Sequence, residues 1–172
     1  MVRPFARADV ASLHEAVRGS IDSLSRWLPW CHADYSLRDA QRWVDYCLAS
    51  SSDNAEYPLG VFNADGEVVG GTGLSHVNRA CNMANIGYWV SQVHCGNGIG
   101  STAARLAAGI GFDELGFTRL EIVVLAHNVA SNRVASKLGA TFEARARNRL
   151  LIDGRPADAL VYSLVPHDLL EG

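Results

Sequence analysis

His94-Cys95-Gly96-Asn97-Gly98-Ile99-Gly100-Ser101 sets three glycines in alternation with other residues. An apolar run, Ile86 to Val90, stands shortly before this stretch, and a long pattern of helical spacing starts near Ser101. The predicted order is strand, glycine turn, helix. Glycine lets the backbone take a positive φ and pass close to a ligand, because no Cβ stands in the way. The first turn of the helix adds unpaired N–H groups and the positive end of the helix dipole. The segment is therefore expected to cradle a phosphate.

The flanking sequence sets the fold around this turn. Ala103, Leu106, Ala107, Ile110 and Phe112 predict a helix ending near Gly116, and the dense run from Arg119 to Leu125 predicts a buried strand. Upstream, Pro58 to Phe62, Glu67 to Leu74 and Asn82 to Val90 predict an antiparallel meander, with a turn at Asn63-Ala64-Asp65-Gly66. Gly70 and Gly71 inside it suggest a bulge or a close approach. Before the meander come a short strand ending at Val2-Arg3-Pro4-Phe5, a helix opened by Asp9 and closed by Gly19, and an apolar segment, Ile21 to Trp30. A helix capped by Ser36 then runs to about Ser50, and Ser51-Ser52-Asp53-Asn54 reads as a loop. After Leu125, a helix from Ser131 to Leu138 is closed by Gly139. Strands at Thr141 to Leu151 and Ala159 to Val165 follow, with a turn from Ile152 to Pro156. One β–α–β unit within an otherwise antiparallel order predicts an α/β (α+β) domain with a mixed sheet.

A chain of 172 residues, 48% hydrophobic and 19% charged, suits one soluble domain spanning 1–172. A net charge of −3 weighs against a nucleic-acid partner, which needs a basic face. Arg145, Arg147 and Arg149 alternate as on one face of a strand. No apolar run reaches membrane-spanning length, and Met1 to Asp9 lacks the apolar core of a signal peptide, so no membrane partner and a cytoplasmic location are expected. Cys31, Cys47, Cys81 and Cys95 are spaced neither as a zinc pair nor as a redox pair; reduced thiols and no metal are expected.

A Walker turn would need Lys-Ser/Thr after its second glycine, and none follows here. A dinucleotide turn would need repeated βαβ units; Glu121 lies at a fair distance for a ribose contact, but only one such unit is present. The whole chain instead resembles the GNAT superfamily of acyl-CoA-dependent N-acetyltransferases. Within it the chain looks most like the RimJ/RimL-type branch, which acetylates N-terminal α-amines of ribosomal proteins. The resemblance rests on Val2-Arg3-Pro4 leading into Asp9, on Ile86-Gly87-Tyr88-Trp89-Val90, and on Gly96-Asn97-Gly98-Ile99-Gly100. It rests also on Asn128-Val129-Ala130-Ser131-Asn132-Arg133-Val134, followed by Lys137-Leu138-Gly139. The glycine run matches the family's (Arg/Gln)-x-x-Gly-x-(Gly/Ala) pyrophosphate loop, with Cys95 where relatives carry Arg or Gln.

The resemblance implies a GNAT fold, its sheet splayed at the cofactor site, and acetyl-CoA as cofactor. Cys95, Gly96, Asn97, Gly98, Ile99, Gly100 and Ser101 would hold its pyrophosphate. The backbone N–H of Val90 would stabilise the oxyanion, Asn128 would bind the pantetheine arm, and Ser131 would act as general acid toward the sulfur. Asn128 and Ser131 equally suit helix N-caps. Glu121 is the candidate base, acting through water, unless an Arg partner makes it structural. Many relatives carry an acidic residue where this chain has Asn85. A free α-amine has a pKa of about 7.7–8.0, so a water chain can suffice as base. His76, His94 and His127 read as surface or satisfied histidines. Trp27, Trp30, His32, Asp34 and Tyr35 cluster in the N-terminal helices, where aromatics plus a carboxylate suit a cationic amine, although the tryptophans equally suit packing. The expected acceptor is a protein or peptide N-terminus. The alternatives are a small amine (aminoglycoside, polyamine or amino acid) and a non-catalytic acyl-CoA-binding module, which Cys95 keeps open. Dimers are common in such families, which leaves a homodimer open.

Overall fold

The computed structural model describes residues 1–53, 56–152 and 154–169. The chain runs β1 (Val2–Arg3), α1 (Val10–Arg18), α2 (Ile21–Leu24), α3 (Leu37–Asp53), β2 (Tyr57–Phe62), β3 (Val68–Asn78) and β4 (Met83–Val90). It continues through α4 (Ile99–Gly109), β5 (Arg119–Leu125), α5 (Val129–Lys137), β6 (Thr141–Ile152) and β7 (Arg155–Leu164). The seven strands form one open sheet in the order β1-β2-β3-β4-β5-β7-β6. Every pairing is antiparallel except β4 with β5.

Two apolar clusters cover the two faces. Leu120, Ile122 and Val124 alternate along β5 and pack with Ala104, Ala107 and Ala108 of α4, and with Ala135 and Leu138 at α5. Val10, Leu13 and Val17 of α1 pack with Ala40, Val44 and Cys47 of α3, over Phe5, Phe62 and Val68. Ala84 and Ile86 of β4 belong to the first cluster, whereas Trp89, of opposite parity, packs against the second. Among the described residues no helix is long and apolar enough to cross a membrane, and all four cysteines are free thiols.

The sheet opens at its single parallel junction. β4 and β5 pair only at Met83↔Arg119, Ala84↔Leu120 and Asn85↔Glu121. Beyond that, β4 stays with β3 up to Gly70↔Val90, and β5 stays with β7 up to Leu125↔Ala159. A V-shaped gap is left between Ile86–Val90 and Ile122–Leu125. The Gly70-Gly71 pair expected to allow a close approach does so. A Cβ on Gly70 would collide with the Trp89 carbonyl, and one on Gly71 with the Trp89 indole nitrogen.

Several boundaries differ from expectation. Ser51 to Asp53 continue α3 instead of forming a loop, and Asn54 lies outside the described residues. α2 takes up only the start of the Ile21–Trp30 segment, where Pro29 stops further helix. The helix after the glycine turn is α-helical to Gly109 and finishes as a π-turn, Ile110–Glu114. α5 starts at Val129, two positions before the expected Ser131, because Asn128 is its cap. Of the expected Ile152–Pro156 turn, Ile152, Arg155 and Pro156 belong to strands, and Asp153 lies outside the described residues.

Candidate active site

The glycine turn is held from both ends. The Ser91 hydroxyl and His94 Nδ1 are 2.7 Å apart. The Gln92 N–H donates to Ser20 Oγ at 2.8 Å, and the buried Ser20 hydroxyl in turn donates to the Ala16 carbonyl at 2.7 Å. The end of α1 therefore fixes where the turn begins. Gly96 and Gly98 adopt φ of +84° and +77°, a region disfavoured for residues with a Cβ. A Cβ at either would meet nothing within 4 Å, so the space in front of both is open. Gly98 is the N-cap of α4, with no side-chain cap. The first bond into the helix is Thr102 N–H to the Gly98 carbonyl at 3.0 Å. The N–H groups of Ile99, Gly100 and Ser101 have no protein acceptor among the described residues. Gly100 differs from the other two: a Cβ there would touch Val90 and Val134 at 3.4 and 3.6 Å. Ser101 Oγ donates to the Gly98 carbonyl at 2.8 Å, and Asn97 Nδ2 to the His94 carbonyl at 3.4 Å. The Cys95 thiol turns back toward the Ser91 and Val90 carbonyls, at 3.4 and 3.7 Å.

The gap carries donors on its β4 side. The Ser91 N–H bonds to the Val69 carbonyl on β3 at 2.9 Å. Peptide groups alternate along a strand, so the Val90 N–H points the other way, into the gap, as does that of Tyr88, both beyond the last β4–β5 pair, Asn85↔Glu121. The Tyr88 hydroxyl donates to the Ser131 carbonyl at 3.0 Å, tying β4 to α5. Burial pushes the Tyr88 phenol up, which keeps it a neutral donor. Asn128 caps α5, its Oδ1 accepting the Ser131 N–H at 3.1 Å. Asn132 Nδ2 bonds the Asn128 carbonyl at 2.9 Å, and the Tyr162 hydroxyl bonds Asn132 Oδ1 at 3.0 Å. With Asn128 as the cap, the Ser131 hydroxyl is left without a protein partner among the described residues.

At the apex, Asn85 Oδ1 is buried and has no hydrogen-bond partner among the described residues. Beside it, Arg119 Nη2 reaches Glu121 Oε1 at 2.8 Å and Glu143 Oε2 at 2.6 Å. Ser163 Oγ donates to Glu143 Oε1 at 2.7 Å. The Arg119 guanidinium, helped by Ser163, pulls the Glu143 carboxyl down to about 2. Glu121 thus has Arg119 as an ion-pair partner.

A cavity of about 520 Å³ lies on the α1–α3 side of β2, β3 and β4. Its floor includes Gly71, Gly73, Gly87 and Tyr88, so it adjoins the strand that lines the gap. Trp30, Tyr35, Trp43, Tyr46 and Trp89 wall it, with Trp30 edge-on to Trp89 at 5.9 Å. Of the residues expected to bind the acceptor, Trp30, His32 and Tyr35 line this cavity. Trp27 does not; its ring packs on His127 at 5.1 Å. Asp34 is exposed and lies outside the lining. The carboxylates that do line the cavity are Asp39 and Glu56. Asp39, Trp43 and Tyr46 recur at helical spacing on the flank of α3 beside its core stripe, a signal readable from sequence once the direction of that flank is known. Ser75 Oγ, also in the lining, is 3.0 Å from His76 Nδ1, and His76 holds φ of +51°.

Free N–H groups at a helix start, two open positive-φ glycines and an unpaired strand edge form a long slot for an anionic thioester carrier. Residues 1–141 match the acetyltransferase (GNAT) domain, and the chain belongs to that family. YjcK of Bacillus subtilis, assigned as an N-acetyltransferase, is 36% identical over 136 residues, covering 78% of this chain and 75% of that protein. Spermidine N(1)-acetyltransferase of Escherichia coli K12 is 27% identical over 110 residues, covering 64% of this chain and 59% of that protein. RimJ of Mycobacterium smegmatis, solved in complex with CoA-disulfide, superposes with a TM-score of 0.84 at 27% identity, over 98% of this chain and 82% of that one.

Proposed function

We propose that this N-acetyltransferase moves an acetyl group from acetyl-CoA to the N-terminal α-amine of a protein or peptide. The observation that carries the reading is that one strand, β4, serves two spaces. Its unpaired N–H edge faces the gap, and its Gly87–Trp89 segment lines the cavity. A donor in the gap and an amine in the cavity would meet there. Likeness to the RimJ/RimL branch favours a protein N-terminus; the spermidine acetyltransferase relative keeps a small polyamine as the second reading.

Acetyl-CoA supplies the activated acyl group and leaves as a thiol. The N–H groups of Ile99, Gly100 and Ser101, with the open faces of Gly96 and Gly98, fit its pyrophosphate. Cys95 supplies no charge there, so backbone donors hold that end, with Asn97 bracing the turn. Asn128 would meet the pantetheine arm while its Oδ1 caps α5. The gap-facing N–H of Val90, with that of Tyr88 on the same edge, would donate to an acyl oxygen gaining charge. The free Ser131 hydroxyl would give its proton to the departing sulfur. Glu121 would keep its ion pair, and the amine would enter in its neutral fraction, losing its proton to water.

Thiol release from acetyl-CoA with matched peptides tests this. Turnover with a free α-amine, lost when that amine is formylated, is the expected result. Turnover of spermidine or an aminoglycoside with none on any peptide would overturn the N-terminal reading.

A further inference from the structure

The cavity beside β4 is built for a particular kind of amine. Phe5, Leu13 and Val17, each no more than 4% exposed, form its depth. At the mouth Trp30, Trp43 and Tyr46 remain 40–45% exposed, which is unusual for three large rings around one opening. The Trp43 and Tyr46 rings stack at 5.4 Å, making a flat wall. Three glycines, Gly71, Gly73 and Gly87, keep the floor low. A Cβ on Gly87 would meet nothing within 4 Å.

The two carboxylates around this space already accept hydrogen bonds from neighbouring groups. Asp39 accepts the Ser36 N–H at 2.9 Å and the Ser36 hydroxyl at 2.6 Å, and Arg42 stands 3.5 Å away. Glu56 accepts the Tyr46 hydroxyl at 2.7 Å. A polyamine binds through several separated cations and needs carboxylates free to meet them. A small hydrophilic amine would leave the rings wetted and the depth unfilled. A large apolar group displaces that water from both.

We propose that the acceptor is a primary amine carried on an apolar, aromatic-sized group, which in a peptide means an N-terminal residue such as Phe, Leu or Trp. The inference rests on the acetyl-transfer reading above. The apolar group lies between Trp30, Trp43 and the Gly87 floor, and the amine faces the β4 edge. Acylation forms the amide bond and breaks the thioester; the amine's proton passes to solvent, and the sulfur leaves protonated.

Peptides of one sequence, differing only in an N-terminal Phe, Leu, Trp, Ser or Asp, are compared with phenethylamine and spermidine by thiol release. The large apolar amines are expected to show kcat/KM at least tenfold above Ser, Asp and spermidine, with the difference in KM. Gly87→Val fits the open space without backbone strain and narrows the cavity. It is expected to raise KM for the Phe peptide at least tenfold and to abolish quenching of tryptophan fluorescence by that peptide in the presence of CoA. Trp43→Ala, at an exposed position, is expected to raise KM while leaving kcat at saturation unchanged. Preference for Ser or spermidine, or a Gly87→Val enzyme with unchanged KM and quenching, overturns the proposal and leaves the transferase standing. No thermal shift with acetyl-CoA and no turnover on any amine removes the transferase reading, and the proposal with it.

Discussion

The two sides of β4 present different kinds of group. Toward α4 and α5 the open groups are backbone: the N–H groups of Ile99 to Ser101 and the gap-facing N–H groups of Tyr88 and Val90. Toward α1 and α3 they are side chains: Trp30, Trp43, Tyr46 and Trp89 around a glycine floor. A backbone site reads what every acyl-CoA shares, a pyrophosphate and an amide-bearing arm. A side-chain site can vary without disturbing the fold, which is how one scaffold can take different amines.

If the donor side is a backbone site, its most damaging substitution removes a conformation and leaves every side-chain contact in place. Gly98→Val puts a β-branched residue at φ of +77° and a Cβ where a phosphate would come. A charge-assisted hydrogen bond is worth about 1.5–3 kcal/mol, and two lost together raise the dissociation constant for acetyl-CoA at least about a hundredfold. Calorimetric titration checks this, and a binding constant within threefold of the parent breaks the contrast between the two sides. Ser131→Ala tests the proton-donating side chain proposed on the donor side. General acids contribute about 10²–10⁴ in rate, and a serine belongs at the low end, so kcat should fall about a hundredfold with acetyl-CoA affinity unchanged.

Tyr88→Phe removes the tie between β4 and α5. A lost hydrogen bond of about 1 kcal/mol should lower Tm by roughly 2–4 °C, visible by differential scanning calorimetry, with a fall in kcat of only a few-fold. The smallest effect is expected at the apex. The Glu143 carboxyl sits below its unfolded value because of Arg119 and Ser163. Its contribution is therefore complete above about pH 4.5 and is lost as pH falls toward 2. Glu143→Gln should flatten the acid limb of a stability–pH profile and leave neutral-pH turnover within twofold, since exposed pairs contribute about 1 kcal/mol or less.

The same contrast explains what could be read from the chain. Strand, glycine turn and helix announce themselves because Gly96 and Gly98 must take positive φ, and few other residues do so cheaply. The run from Arg119 to Leu125 and the Asn63–Gly66 turn declare themselves through period and turn chemistry. Asn128 as a cap is equally local, whereas Ser131 became readable as a free hydroxyl only when the start of α5 was known. The cavity was not legible in this way. Trp43 has the spacing of a core residue on α3, yet it is 40% exposed, because the floor beneath it is glycine contributed by strands far along the chain. Asp34 and Trp27 sit close in sequence to Trp30 but face elsewhere, after α2 stops at Leu24. Long-range packing, not local pattern, decides which aromatics meet.

One consequence of the three-pair junction between β4 and β5 concerns solvent exchange. β4 is the fourth of seven strands in the sheet, yet at Tyr88 and Val90 its amides have the standing of an outer strand. Deuterium should enter at these alternate positions while Gly87 and Trp89, bonded to β3, stay protected. Saturating CoA should slow exchange at the same two, a two-residue rhythm of protection marking where the ligand lies along the strand.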